Sequence, residues 1–218
     1  MEGSAVWIEV FGVVTGILYV ILEVRQYRLL WPLGIATSAT YIYVFFTGKF
    51  YADMGLQVYY VLISIYGWYY WSRGGERNAR DELPVTRITR RVAILLAGVF
   101  AVTWAGLWLV LDRYTDSPVP AGDSFTTAVA VVATWMLTRK ILEQWYLWMV
   151  ANVVSIMLYL YKGLYPTVIL YAVYAGMSVY GYFEWKRSMG GRMEGVKVNT
   201  GDKQGQGTRK MNGNNEQE

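Results

Sequence analysis

The same pattern occurs in two stretches of the chain, Ser64-Ile65-Tyr66-Gly67-Trp68-Tyr69-Tyr70-Trp71 and Ser178-Val179-Tyr180-Gly181-Tyr182-Phe183-Glu184-Trp185. Serine, tyrosine, glycine and tryptophan recur in both segments at a constant offset of 114 residues. At this offset the match extends without a gap over Phe11–Trp71 and Phe125–Trp185. Rare residue types carry the match, so a shared preference for apolar residues does not explain it. Each copy holds three long apolar runs, which predicts a membrane protein built by duplicating a three-helix unit.

The composition is also that of a membrane protein. Of the 218 residues, 55% are hydrophobic and 17% are charged, whereas a soluble domain carries about 25% charged residues. Apolar runs of about 17–22 residues are long enough to cross a hydrocarbon core about 30 Å thick. The fifth run is the weakest, because serines and threonines dilute it. We predict seven transmembrane helices: Ala5–Leu22, Trp31–Thr47, Tyr51–Trp71, Val92–Leu111, Ser124–Leu137, Trp145–Tyr161 and Tyr165–Trp185.

The lysines and arginines predict the orientation. With seven spans, 17 of the 20 basic residues fall on one side of the membrane, so the C-terminus is expected in the cytoplasm and the N-terminus outside. A three-helix unit exits opposite to its entry, and the unrepeated fourth helix gives both units the same orientation. The predicted fold is therefore an all-α membrane protein with 3+1+3 parallel repeats. Its segments are a first repeat (5–71), a cytosolic linker (72–91), a linker helix (92–111), a second repeat (124–185) and a disordered cytosolic tail (186–218).

The residue types that the sequence lacks restrict the functions it can have. The sequence has no cysteine and no histidine, which excludes disulfides, thiol or imidazole chemistry and the commonest zinc and haem ligand sets. We therefore expect no metal, no cofactor and no enzyme activity. No predicted span has an acid, lysine or arginine near its middle, so we expect an uncharged cavity and downhill passage. The net charge of +4 follows the membrane topology and does not indicate a nucleic-acid partner.

The sixth predicted helix carries a candidate substrate site. Trp145, Trp148 and Asn152 are spaced i, i+3, i+7, so they lie on one helical face, with the amide near the bilayer midplane. The alternative is an interfacial tryptophan and an amide that joins two helices. Further candidates lie near this face or at equivalent positions of the first repeat. They are Gln57, Ser155, Trp31, Ser38, Tyr60 and Tyr174.

At these residues the chain resembles the PnuC family of vitamin transporters, which are related in fold to the SWEET sugar carriers. The resemblance rests on Thr138-Arg139-Lys140, on the motif Trp145-x-x-Trp148-x-x-x-Asn152, and on the first-repeat run from Tyr51-Ala52-Asp53 to Trp71. It implies uptake of nicotinamide riboside across the inner membrane by facilitated diffusion, with trapping by a cytosolic kinase, and a homotrimeric assembly. It also implies that Trp145 and Trp148 hold the aromatic ring and that Asn152 binds a polar group.

Two other functions remain open. Thiamine is also a flat aromatic cation, and relatives within the family transport it, so a thiamine facilitator is the first alternative. The second is a membrane scaffold subunit that transports nothing. A scaffold predicts no cavity between the repeats and leaves the duplication unexplained.

Overall fold

The computed structural model describes the backbone of residues 2–47, 51–73, 83–115 and 117–212, and the side chains of residues 10–47, 54–73, 83–115 and 117–190. These ranges hold seven helices, as predicted, and no strand beyond a single bridge between Thr86 and Ile141. The helices are α1 (Glu2–Val24), α2 (Leu30–Thr47), α3 (Tyr51–Arg73), α4 (Arg90–Tyr114), α5 (Pro120–Thr138), α6 (Gln144–Tyr161) and α7 (Tyr165–Asn212).

Six of the helices close into a ring. The order around the ring is α1, α2, α3, α5, α6, α7 and back to α1, and α4 packs outside it against α5. The first three helices form one arc and the last three form the other. Helix α4 turns apolar side chains away from the ring: Val102 is 76% exposed and Ile94 is 65% exposed. Such a face is expected to contact lipid.

The polar residues of α5 do not interrupt this helix. Its threonine hydroxyls donate to carbonyls one turn earlier in the same helix; Thr127 reaches the Asp123 carbonyl at 2.9 Å and Thr134 reaches that of Ala130 at 2.7 Å. A hydroxyl bonded in this way needs no further partner in an apolar environment. Proline at the first helical position and Asp123 in the first turn favour the helix start. The helix therefore begins four residues before the predicted Ser124.

Helix α7 extends beyond the predicted span. It continues to Asn212, whereas the sequence predicts a span ending at Trp185 and a disordered tail from residue 186. Contacts with the ring favour the continuation: the Gln26 amide donates to the Ser188 hydroxyl at 3.1 Å, and Met189 packs against the core. Side chains beyond residue 190 lie outside the described part of the chain, and disorder of the tail stays a prediction.

The predicted linker is described only from residue 83 onward. Its Thr86 pairs with the loop between α5 and α6, through bonds of 2.9 Å from the Thr86 N–H to the Lys140 carbonyl and from the Leu142 N–H to the Thr86 carbonyl. The Ile88 N–H adds a bond to the Glu143 carboxylate at 2.9 Å. Residues 83–89 thus lie across the end of the ring near this loop, whereas residues 74–82 are outside the described ranges.

A core of four tryptophans fills one end of the ring. We call the residues Trp31, Trp71, Trp145 and Trp185 the tryptophan core; each is at most 1% exposed. Within each repeat two of them meet edge to face, Trp31 with Trp71 at 5.4 Å and Trp145 with Trp185 at 5.6 Å between ring centroids. The glycine of each repeat makes room: a Cβ at Gly67 would overlap the ring of Trp31, and one at Gly181 would overlap that of Trp145.

Hydrogen bonds cross from each arc to the other at this same end. The Trp71 indole N–H donates to the Thr138 carbonyl, and that of Trp185 donates to the Glu23 carbonyl, both at 3.1 Å. The repeat mates Gln26 and Lys140 both have positive φ, 57° and 49°, and the Lys140 ammonium donates to the Gln26 amide oxygen at 3.0 Å. The loops that follow α1 and α5 therefore meet at the same end of the ring, as the predicted parallel repeats require.

Substituting the repeated glycine tests this packing. In Gly181→Ala the added methyl group would occupy space held by the Trp145 ring, and we expect the free energy of unfolding to fall by about 1–3 kcal/mol, as for overpacked cores. Thermal unfolding of the purified protein in detergent measures the loss. Gly176→Ala on the same helix is the control, because a Cβ there meets nothing within 4 Å. An equal loss in both variants would contradict the role of the indole–glycine contact.

Candidate substrate-binding site

The ring encloses a cavity of about 420 Å³. All six helices of the ring contribute to its walls, and the described residues of α4 contribute none. Most of the side chains predicted from the sequence meet here. Those that line the cavity are Trp145, Trp148, Asn152, Gln57, Ser38, Tyr60 and Tyr174.

Two predicted residues do not reach the cavity walls. Trp31 is fully buried and its ring is held by Gly67 and Trp71. Ser155 is 5% exposed and lies outside the lining residues. Trp31 belongs to the tryptophan core, and Ser155 is buried outside the lining residues.

The wall formed by α6 combines indoles with an amide. Asn152 is 5% exposed, and its Nδ2 donates to the Ser178 hydroxyl at 3.1 Å. Ser178 in turn donates to the Tyr174 carbonyl of its own helix at 2.8 Å. This chain of bonds fixes the amide. A primary amide has a second N–H and two carbonyl lone pairs, so Asn152 can both join α6 to α7 and bind a ligand.

The two indoles of this wall differ in how deeply they are buried. Trp145 is 1% exposed and is held between Gly181 and Trp185, whereas Trp148 is only partly buried. The indole N–H groups of both are buried without a hydrogen-bond partner among the described residues. Trp148 is therefore the indole that offers a ring surface to the cavity, and Trp145 is a fixed support behind it.

The opposite wall is small and hydroxylated. At the offset of 114 residues, Gly34 stands where the second repeat has Trp148, and Ser38 stands where it has Asn152. Gly16 on α1 lets the Tyr174 side chain approach closely, because a Cβ at Gly16 would overlap the Tyr174 hydroxyl. A ring with twofold-related packing thus holds a cavity whose two halves differ, which favours one ligand orientation.

Sequence reasoning missed several lining residues. Ser64 and Ser178 were visible as repeat mates, but a serine within a helix gives no signal for a cavity. The other polar and aromatic lining residues lack even that signal; they are Thr15, Tyr19, Glu23, Thr37, Thr134 and Tyr171. Glu23 corrects the expectation of an uncharged cavity, because its carboxyl lies in the wall although it is near a helix end. Glu23 reaches the wall because the end of α1 packs inside the ring, against the tryptophan core.

The basic pair of the predicted motif lies at the end of the ring. The Arg139 guanidinium lies over the Tyr70 ring at 4.5 Å, and the Lys140 ammonium lies over the Trp71 ring at 4.4 Å from the centroid. Both contacts are cation–π interactions. Neither residue lines the cavity, so the motif stabilises the end of the bundle beside the tryptophan core.

Comparison with known proteins identifies the family. The model of the family described as nicotinamide mononucleotide transporter matches residues 6–187. The nicotinamide riboside transporter PnuC of Escherichia coli (strain K12) is 25% identical over 205 residues, which cover 84% of this chain and 86% of that protein. The riboflavin/roseoflavin transporter RibM of Streptomyces davaonensis is 25% identical over 183 residues, covering 83% of this chain and 84% of RibM.

A solved structure agrees in fold. The crystal structure of the vitamin B3 transporter PnuC matches with a TM-score of 0.65 and 26% identity, covering 84% of this chain and 82% of that chain. Residues 6–187, which the family model matches, include both arcs of the ring and the cavity between them. The chain belongs to the nicotinamide mononucleotide transporter family of membrane proteins.

Proposed function

We propose that this protein carries nicotinamide riboside across the inner membrane by facilitated diffusion, through the cavity between its two arcs. The observation that carries this proposal is the wall of Trp148 and Asn152 inside a closed ring of six helices. The names of the relatives support the substrate class, since they are transporters of vitamins with flat aromatic rings. The volume of about 420 Å³ lies in the usual range for small-molecule sites, about 300–1,000 Å³.

The chemistry of the ligand fits the two walls. Nicotinamide riboside has a flat pyridinium cation, which an indole face attracts by cation–π contact worth about 2 kcal/mol or more when desolvated. Its carboxamide matches the amide of Asn152, which is already oriented by Ser178. The ribose hydroxyls fit the polar wall of the first repeat, where Thr37, Ser38 and Gln57 lie.

Release on the second side requires the tryptophan core to part. The loops at this end carry the basic residues that predict a cytoplasmic position, with the C-terminus inside and the N-terminus outside. The bonds from Trp71 to Thr138 and from Trp185 to Glu23 join the arcs there. A rocking motion of the two parallel three-helix units, with flexing near Pro32, Gly34 and Pro166, would break these few bonds while leaving each arc intact.

Three further elements complete the proposal. Phosphorylation by a cytosolic kinase traps the vitamin and keeps uptake downhill. The chain assembles as a homotrimer in the inner membrane, and it has no catalytic role of its own. A thiamine facilitator of the same design is the second candidate, because the cavity suits a flat aromatic cation of either kind. The non-transporting scaffold is disfavoured, since it gives no reason for a cavity.

Removing the ring surface or the amide should weaken binding. We expect Trp148→Ala and Asn152→Ala each to cost about 1–3 kcal/mol of binding free energy, as for a lost stacked or buried polar contact. Isothermal titration calorimetry on purified variants measures the change. Trp108→Ala on α4 is the control, because this tryptophan is 48% exposed and lies outside the cavity. Unchanged affinity in both cavity variants would remove the proposed site.

The serine that orients the amide should have a smaller effect. In Ser178→Ala, Asn152 loses its partner but remains present, so we expect binding to weaken by about 0.5–1.5 kcal/mol, the worth of one hydrogen bond. The repeat mate Ser64→Ala is the matched control, since it removes a lining hydroxyl without touching Asn152. The same titration distinguishes the two, and a loss at Ser64 that equals or exceeds that at Ser178 would contradict the orienting role.

Transport itself should be downhill. Liposomes containing the purified protein are expected to equilibrate labelled nicotinamide riboside across the membrane without concentrating it, because the proposed cycle couples to no ion. Imposed proton and sodium gradients, each tested against protein-free liposomes, check this. Accumulation above the outside concentration under either gradient would refute facilitated diffusion.

A further inference from the structure

The cavity wall contains a carboxylate that the fold does not require. Glu23 is 3% exposed, lines the cavity, and has a buried Oε1 without a hydrogen-bond partner among the described residues. Burying a carboxyl group without a partner is costly. Native structures therefore seldom keep one unless it serves a function.

The hydrogen bond that joins Glu23 to the other arc uses its backbone carbonyl and not its side chain. The Glu23 carbonyl accepts the Trp185 indole N–H at 3.1 Å, and a carbonyl is present whatever the side chain. The repeat mate of Glu23 is Leu137, which is fully buried and apolar. The second repeat thus shows that the same position packs well with a hydrophobic residue, so the acid in the first repeat needs another explanation.

The surroundings of Glu23 are polar and aromatic. The side chains of Gln144 and Trp148 face its carboxyl group within hydrogen-bonding reach. Gln144 is fully buried, and neither its amide atoms nor the Trp148 indole N–H have another hydrogen-bond partner among the described residues. The structure also shows no ion pair between Glu23 and a described lysine or arginine. A carboxylate beside an indole, with no ion pair in the described part of the chain, is an arrangement suited to an organic cation.

We infer that Glu23 is the charge-recognition residue of the cavity: its carboxylate pairs with the positively charged ring of the transported vitamin and selects cationic over neutral aromatic ligands. This inference rests on the proposed function, since it assigns a role within the same site. The ring would stack on the Trp148 indole beside the Glu23 carboxylate, because these two side chains are adjacent. Both groups stabilise positive charge, so the loss of cation preference in Glu23→Gln measures the part that the carboxylate supplies.

The experiment compares two ligands that differ in ring charge. Nicotinamide riboside is the cation, and its dihydro form has the same sugar and carboxamide on a neutral ring. Calorimetry on the wild-type protein should give an affinity for the cation that is roughly tenfold or more above that for the dihydro form. In Glu23→Gln, affinity for the cation should fall by roughly tenfold or more while that for the dihydro form stays within about twofold.

Control variants separate charge recognition from folding. Glu184→Gln removes a carboxylate from the surface of α7, where its contact with Arg187 is a 3.8 Å surface pair, and should leave both affinities unchanged. Glu23→Asp keeps the charge and should retain the preference for the cation even if overall binding weakens. It also serves as the test if Glu23→Gln does not fold.

The outcomes distinguish this inference from the proposed function. An unchanged ratio of affinities in Glu23→Gln, or an equal loss for both ligands, would overturn the charge role while leaving riboside transport in place. If the wild type binds thiamine but not the riboside, and Glu23→Gln loses that binding, the substrate assignment fails and the charge role stands. If the wild type binds neither cation, both are wrong.

Discussion

The structure depends on four indoles that lock two three-helix arcs together at one end. In each repeat a tryptophan packs against a glycine on a neighbouring helix, which lets the helices approach closely, and a second tryptophan donates its N–H to a carbonyl of the other arc. In an apolar environment an unbonded indole N–H is costly, so these two bonds fix the register of the arcs. The cavity adjoins this packed end, since Trp145 belongs to both.

The two repeats share the residues that pack the bundle, and they differ at several positions of the cavity wall. The packing residues recur at the same offset in both repeats, and so do two lining pairs, Tyr60 with Tyr174 and Ser64 with Ser178. Other positions of the wall differ: Gly34 is equivalent to Trp148, Ser38 to Asn152, and Glu23 to Leu137. A strictly symmetric cavity would offer two equal orientations to an asymmetric ligand. The observed walls differ at these positions: the second arc has an indole and an amide where the first has a glycine and a serine, and the lining acid Glu23 belongs to the first arc.

Most of the fold was predictable because its signals are local. Apolar runs of sufficient length mark each span, and the repeat aligns them, so the number and order of the helices followed from the chain. Thr127 and Thr134 made α5 look weak since composition does not show that a helical hydroxyl can bond its own backbone. The Gly-rich and polar composition after Lys186 predicts disorder, whereas contacts of Ser188 and Met189 with distant residues continue α7 past Trp185. Disorder of the rest of the tail stays a prediction.

By itself the sequence determined the helices, the duplication, and the helical face that bears Trp145, Trp148 and Asn152, because these depend on spacing along one segment. Only the tertiary structure decided which side chains reach the cavity. That choice depends on the rotation of each helix within the ring, which is set by packing between segments more than 100 residues apart, such as Glu23 with Trp185. For this reason the structure places Trp31 in the core and not in the predicted site. It also places two residues that the sequence did not indicate, Tyr171 and Glu23, in the cavity wall.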